Sequence, residues 1–358
     1  MTGNGPVPSP GGVPTDTDRA RRSDRRLAYV SWAPHCSRSD HTARELGGRS
    51  FMVYAGWLGS HPATVLLKYA VQALLTARLL HRERPDTVCV MSPPVFAALP
   101  ALAYARWHGA QVVVDAHTCA FVLPRWRRLQ WLQRHVCRRA TTTLVTNEHL
   151  AGMIRGWGAH ATIVPDVPVV FHAPTPHLRE AAFSVTVVCS FDADEPVEAI
   201  FAAAGRLPDV RFHVTGDSSS LPAAMRARVP ANVSLTGFLP EPAYAGMVVG
   251  ADAVLDLTTH DHTMLRGAYE AIYQGVPVVV SDWPILREAF PEGAVHVANE
   301  PEAIAAGIAR LRRDHARLRA EAQHLAGVKR RRWAGVREGL LARLDVERQR
   351  NAFSVTSA

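Results

Sequence analysis

The sequence predicts an α/β protein made of two successive doubly wound parallel-sheet domains. Three features predict it. Short apolar runs alternate with helical patterns along most of the chain, a proline-rich seam interrupts the alternation near the middle, and the alternation then begins again. The runs themselves are β-branched and almost continuously apolar, as strands covered on both faces of a parallel sheet should be. At 358 residues and 47% hydrophobic, the chain can bury the cores of two ordinary domains.

Residues 1–26 are rich in Pro, Gly and charge and lack an apolar stretch, so they read as a disordered tail and not as a signal peptide. Strand-like runs follow at "LAYVSW" (27–32), "FMVYAG" (51–56), "TVCVM" (87–91), "QVVVDAH" (111–117), "TTLVT" (142–146) and "ATIVP" (161–165). These make a first domain over 27–170. From Asp166 to Leu178, Pro168, Pro174 and Pro176 break all periodicity, and an interdomain linker is placed at 171–182. The second domain, 183–328, carries "SVTVVCS", "VRFHVTG", "NVSLTG", "AVLDLTT", "PVVVSD" and "AVHVAN". Residues 329–358 complete a helical tail expected to pack back toward the first domain.

Composition narrows the function. Forty Lys and Arg against 32 Asp and Glu leave a net charge of +8, which favours anionic partners such as phosphorylated ligands or acidic lipid surfaces. Cys36, Cys89, Cys119, Cys137 and Cys189 are scattered singly, without zinc spacing, so neither a disulfide framework nor a structural metal is expected. Lys68, Gln72 and Arg78 interrupt the longest apolar candidate for a membrane span. A cytoplasmic protein is expected. No GxGxxG follows the first strand, so an NAD enzyme is not expected; no Walker A lysine loop, nucleophile elbow or RNA-binding aromatic signature is present either, and nucleic acid is not an expected partner.

In open parallel sheets ligands sit beyond the carboxyl ends of the strands. The residues found there are Ser37, Arg38 and Ser39, then Ser92, then His117; in the second domain they are Asp192 to Glu195, Gly216, Phe238 and the stretch His260 to Glu270. A helix starting near Thr263 would put Thr263, Arg266, Gly267 and Glu270 on one face, with its free N–H groups and dipole suited to a diphosphate. Gly267 would allow close approach, Arg266 a bidentate contact, and Glu270 two hydrogen bonds from a ribose diol. The same residues also read as an ordinary helix with Asp261 or Thr263 as N-cap and Arg266 and Glu270 in water, and both readings are open on the residues alone. "DAD" at 192–194, followed by Glu195 and Pro196, reads as a helix start capped by Asp192 in preference to a metal motif.

The Glu within "YEAIYQGVPVVVSD", the "GFL" some thirty residues earlier and the two halves joined by a Pro-rich seam resemble a GT-B glycosyltransferase of the glycosyltransferase family 4 kind. The resemblance spans about 27–345 and is most specific over Ala253 to Asp282. It implies transfer of a sugar from a nucleotide-diphosphate sugar to an acceptor hydroxyl, generally with retention and with neither metal nor further cofactor, in polysaccharide, glycolipid or cell-envelope synthesis. It implies donor binding mainly by the second domain, through Gly216, Phe238, Leu239, Thr263, Met264, Gly267 and Glu270, with Glu270 on the ribose. It assigns His117, His262 and Arg266 to the catalytic centre, and Ser37, Arg38 and Ser39 to an acceptor or phosphate loop. His262, flanked by Asp261, stands where the family often has an acid eight residues before the ribose glutamate. That departure keeps open an inactive GT-B partner or regulatory subunit; a nucleotide-sugar epimerase is a further alternative. His117 also reads as a residue capping the following loop.

The acceptor is expected to be a saccharide or a lipid-linked group. "RWRRLQWLQRHVCRR" (125–139) interleaves basic and aromatic residues and reads either as an ordinary core helix with solvated arginines or as a contact with an anionic membrane surface, and "KRRRW" (329–333) is a smaller case of the same kind. Peripheral attachment at the inner face of the membrane is the expectation that goes with it.

Overall fold

A computed structural model describes residues 26–59, 61–176 and 182–356. The expected tail, apart from Arg26, and residues 177–181 of the expected linker lie outside the described residues. Twelve strands form two six-stranded sheets, all pairs parallel. The first contains β1 (Leu27–Ser31), β2 (Arg49–Met52), β3 (Thr87–Ser92), β4 (Gln111–Ala116), β5 (Thr142–Val145) and β6 (Ala161–Ile163), in the order β2-β1-β3-β4-β5-β6. The second contains β7 (Phe183–Val187), β8 (Val210–Thr215), β9 (Val233–Gly237), β10 (Ala253–Asp256), β11 (Val278–Ser281) and β12 (Ala294–Val297), in the order β12-β11-β10-β7-β8-β9. Each expected strand run contains or overlaps one of these strands. β2 starts two residues before its run and stops at Met52, because the chain turns away into a single 3-10 turn at Gly56–Leu58.

Alternation along the strands divides each core in two. Val30, Val88, Val90, Val112 and Val114 face α2 (Pro62–Glu83), α3 (Ala98–His108), α4 (Gln130–Arg139) and α5 (Glu148–Gly156). Leu27, Tyr29, Cys89 and Val113 face the other way, toward α1 (Ser37–Glu45) and the C-terminal helix. In the second domain one layer holds α6 (Val197–Gly205) and α10 (Pro301–Arg313); the other holds α7 (Glu241–Gly250), α8 (Arg266–Tyr273) and α9 (Pro284–Ala289). The last helix, α11 (His315–Thr356), serves both halves. Its Ala322, Leu325 and Ala326 pack in the second domain, while Trp333, Leu340 and Leu344 pack under the first sheet. Trp333 Nε1 donates to Glu45 at 2.7 Å, and Gln111 donates to the Leu344 carbonyl at 2.6 Å.

Three expectations need correction. Residues 63–83 of α2 are long and apolar enough, by length and composition, to cross a membrane, although Lys68, Gln72 and Arg78 had argued otherwise. Lys68 and Gln72 are instead buried against the first domain. Asp192 is not an N-cap: α6 begins at Val197, and it is Glu195 that folds back to accept from the backbone N–H groups of Ser190 and Asp192 at 2.9–3.0 Å. The helix carrying Glu270 starts at Arg266 and not near Thr263. His262 has φ 63°, in the left-handed region, so the chain before α8 is a turn and Thr263 stands outside the helical face.

Candidate active site between the two sheets

The carboxyl ends of both sheets meet in a charged cluster. Arg38, in the first turn of α1, is buried and places Nε 2.9 Å from Asp115 Oδ2, while Nη1 lies 3.6 Å from Asp166 Oδ1. Tyr29 donates to Asp115 Oδ2 at 2.6 Å. From the second domain, Arg266 reaches Asp166 Oδ1 at 2.6 Å through Nη1, and its Nε lies 3.1 Å from Glu270 Oε1, one turn along α8. The same Nε donates to Ser37 Oγ at 3.0 Å, and Nη2 sits 3.3 Å from His41 Nδ1. Tyr244 closes the chain, donating to Glu270 Oε2 at 2.6 Å. Two guanidiniums and three carboxylates thus run continuously from Tyr29 under the first sheet to Tyr244 on α7.

Arg266 is therefore a clasp between domains as well as a cleft cation. Of the four N–H groups on its two terminal nitrogens one is given to Asp166, and the rest of the planar fork can still bind a further oxygen. Glu270 is buried, which pushes its carboxyl above the usual range; Arg266 pulls the other way. Its two oxygens retain lone pairs beside the bonds they already accept.

The start of α8 is built by a carboxylate below it. Asp256, the last residue of β10, accepts from Ala268 N at 2.8 Å, and burial pushes its carboxyl up to about 8. A Cβ on Gly267 would lie 2.6 Å from Val188 and 2.8 Å from Asp256, so only glycine lets the helix seat here. Gly216 is equally constrained: φ is 98°, and a Cβ would meet the Cys189 carbonyl at 1.9 Å.

Other expected residues border the same cleft. His117 follows β4, with Nε2 3.8 Å from Asp115 and without a hydrogen bond. Burial lowers its pKa, which keeps the ring neutral near pH 7. His262 stacks on His149 of α5 with centroids 4.5 Å apart, and its carbonyl accepts from Asn147 at 3.2 Å. Both contacts cross between the domains. Phe238 is largely exposed and stacks on His35 at 5.9 Å, again across the cleft. Met264 and His262 line a cavity of about 550 Å³ shared with Asp166, Tyr269 and Arg332. Ser39 does not enter the cluster; its hydroxyl bonds the Cys36 carbonyl at 2.8 Å within α1. No contact of the Leu239 or Thr263 side chains distinguishes them. Among the described residues no group of three or more His, Cys, Asp or Glu side chains is arranged to hold a metal ion.

Residues 19–174 match the family described as glycosyl transferase 4-like domain, and residues 195–334 the one described as glycosyl transferase-like. The chain belongs to the group 1 glycosyltransferases of the GT-B fold. Solved structures agree with this fold. Sucrose-phosphate synthase from Thermosynechococcus elongatus superposes with a TM-score of 0.66 at 14% identity, over 89% of this chain and 98% of that one. HepE from Anabaena, solved in complex with UDP-glucose, gives 0.61 at 13% identity, over 93% and 100%. A putative UDP-N-acetylglucosamine 2-epimerase from Listeria monocytogenes gives 0.57 at 13% identity, over 83% and 90%. No curated protein matches the sequence.

Four residues of this glycosyltransferase's cluster were not among the sequence candidates: Asp115, Asp166, His41 and Tyr244. Asp115 carried a signal, since a carboxylate inside the apolar run "QVVVDAH" must find a buried partner. Asp166 was read as linker. His41 and Tyr244 had none.

Proposed function

We propose that the enzyme takes a sugar from a nucleoside diphosphate sugar, with a UDP-sugar as the first donor to test, and passes it to an acceptor hydroxyl with retention and without a metal. The observation that carries this is the pairing of Arg266 with Glu270 at 3.1 Å on the first turns of α8, facing the first domain across the cleft. HepE, which shares the fold, was solved with UDP-glucose. In this reading Glu270 accepts the ribose hydroxyls, Gly216 and Phe238 border the nucleoside, and Gly267 admits the diphosphate to the helix start. Charge developing on the departing diphosphate meets Arg266, whose fork turns from Asp166 toward the phosphate oxygens. Neutral His117 positions a sugar hydroxyl, accepting or donating according to its tautomer. The cross-domain contacts of Arg266, His262 and Phe238 fit a closed cleft, which excludes water from the donor.

The test combines a thermal-shift screen of nucleoside diphosphates with a donor-consumption assay, using acceptor sugars and lipid-linked acceptors in parallel. A diphosphate at about 100 times its dissociation constant should add roughly 2.7 kcal/mol of stability. Donor consumed only with an acceptor supports transfer. Binding without consumption would turn the reading toward a regulatory partner, for which His262 in place of the usual acid is the motive. Conversion of donor without acceptor would turn it toward epimerisation.

A further inference from the structure

The first domain carries a surface that the sugar-transfer reading does not use. α2 is turned with its polar side inward. Lys68 Nζ donates to the Gly59 carbonyl at 2.9 Å, Gln72 to the Val53 carbonyl at 3.0 Å, and Thr76 Oγ1 accepts from Trp32 at 2.9 Å. These three residues stand four apart on one face, buried, and each has a hydrogen-bond partner in the fold, although Gln72 Oε1 has none. The opposite face shows Leu66, Leu67, Ala70 and Leu74 to solvent, with Leu66 at 75% exposure. Trp57, just before the helix, is 76% exposed, and Trp107 and Trp131 are exposed on the neighbouring α3 and α4. Of the fifteen exposed large hydrophobics among the described residues, ten fall between Tyr54 and Trp131. The leucine face of α2 and the exposed tryptophans beside it mark an interaction surface.

Charge names the partner. Residues 53–147 hold eleven Lys and Arg and three Asp and Glu, an excess equal to the net charge of the whole chain. None of the three acids presents free charge: Asp115 is buried, Glu83 is paired with Arg49 and Arg82, and Asp86 with Arg26 and Arg348. Arg78, Arg82, Arg106, Arg127, Arg128 and Arg134 are all exposed on or beside the three helices. Exposed leucines and tryptophans flanked by exposed cations, of which only Arg82 is paired with an acid among the described residues, match a bilayer with anionic headgroups, where tryptophan sits at the interface and each cation adds to the attraction.

We propose that the layer formed by α2, α3 and α4 lies on an anionic membrane, with the leucine face of α2 inserted among the headgroups. α2 does not cross the bilayer, because spanning would strip Lys68, Gln72 and Thr76 from the partners that hold the helix on the sheet. Strand and helix run in opposite directions, so Trp57 and the start of α2 stand at the carboxyl end of the first sheet, on the rim of the cleft. The attachment therefore brings the membrane surface beside the place where an acceptor must enter. It needs no assumption about catalysis.

The test is co-sedimentation of the full chain with vesicles of phosphatidylcholine alone and of phosphatidylcholine with about one third phosphatidylglycerol. Binding should favour the anionic vesicles and fall as salt shortens the Debye length to roughly 3 Å near 1 M. The pair Leu67→Glu and Leu74→Glu should weaken it about tenfold or more, while an unchanged melting temperature shows that the fold is intact. Arg127, Arg128 and Arg134 replaced together by Gln should lower the anionic preference. Absence of binding, equal binding to both vesicles, or indifference to the leucine pair overturns the proposal. Retention after alkaline carbonate would make α2 a spanning helix and overturn it too, as would a dimer in solution that the leucine pair dissolves without any vesicle binding.

Discussion

Asp166 holds the two domains together through two arginines, and replacing it by Asn isolates that role. Its Oδ1 lies 2.6 Å from Arg266 Nη1 and 3.6 Å from Arg38 Nη1, and its side chain is 3% exposed. At an effective dielectric near 20, the closer contact alone amounts to about 6 kcal/mol of gross attraction. Desolvation of both groups offsets much of that, and breaking a buried pair by removing one partner costs about 3–5 kcal/mol. Arg266 keeps Glu270 at 3.1 Å and Arg38 keeps Asp115 at 2.9 Å, so neither cation is left alone. The expected loss for Asp166→Asn is accordingly about 2–3 kcal/mol. Urea unfolding of the wild type, Asp166→Asn, Arg266→Met and the double variant forms a cycle whose coupling should be about 1–3 kcal/mol. Losses that add within about 0.5 kcal/mol would refute the claim that this pair is a clasp.

Glu270→Gln keeps an acceptor for Tyr244 but loses the charge beside Arg266, so calorimetry should find nucleoside diphosphate affinity reduced about tenfold or more; unchanged affinity removes the residue from the site. Arg266→Ala should lower kcat more than it weakens donor binding if the guanidinium mainly meets charge that develops on the leaving group, and equal losses in both would make it a plain binding residue. Gly216→Ala combines a disfavoured φ with a backbone clash and should cost about 2–4 kcal/mol in urea unfolding. Asp256 is raised from the ordinary carboxylate range to about 8, so the folded state holds its proton where the unfolded chain has released it. Its contribution is full in acid and is lost as pH rises through about 8. Asp256→Asn should flatten that decline between pH 5 and about 9, measured as the urea midpoint against pH, and an undiminished slope would place its cause elsewhere.

The strands were legible because burial on both faces writes a run of β-branched residues that no helix in this chain imitates. The boundaries inside the cleft were less legible, because long-range partners decide them. Thr263 looked like a cap by local chemistry, yet the first turn of α8 takes its acceptor from Asp256, twelve residues before Ala268 and on a different element. Asp166 looked like linker because its neighbours are Pro165, Val167 and Pro168, and its importance exists only once Arg38 and Arg266 arrive from the two domains.

α2 shows the same limit most sharply. By pattern alone, Lys68, Gln72 and Thr76 mark the face of an amphipathic helix that should meet water. The fold reverses this because the loop Val53–Gly59 offers backbone carbonyls, and Trp32 an indole N–H, at the points where those side chains arrive. Lys68 Nζ, Gln72 Nε2 and Thr76 Oγ1 exchange water for a protein partner, whereas the leucines left outside keep their full cost of hydration. An isolated monomer gains nothing from that arrangement. A surface that removes the leucines from water recovers the difference, and this is the physical reason to look for one.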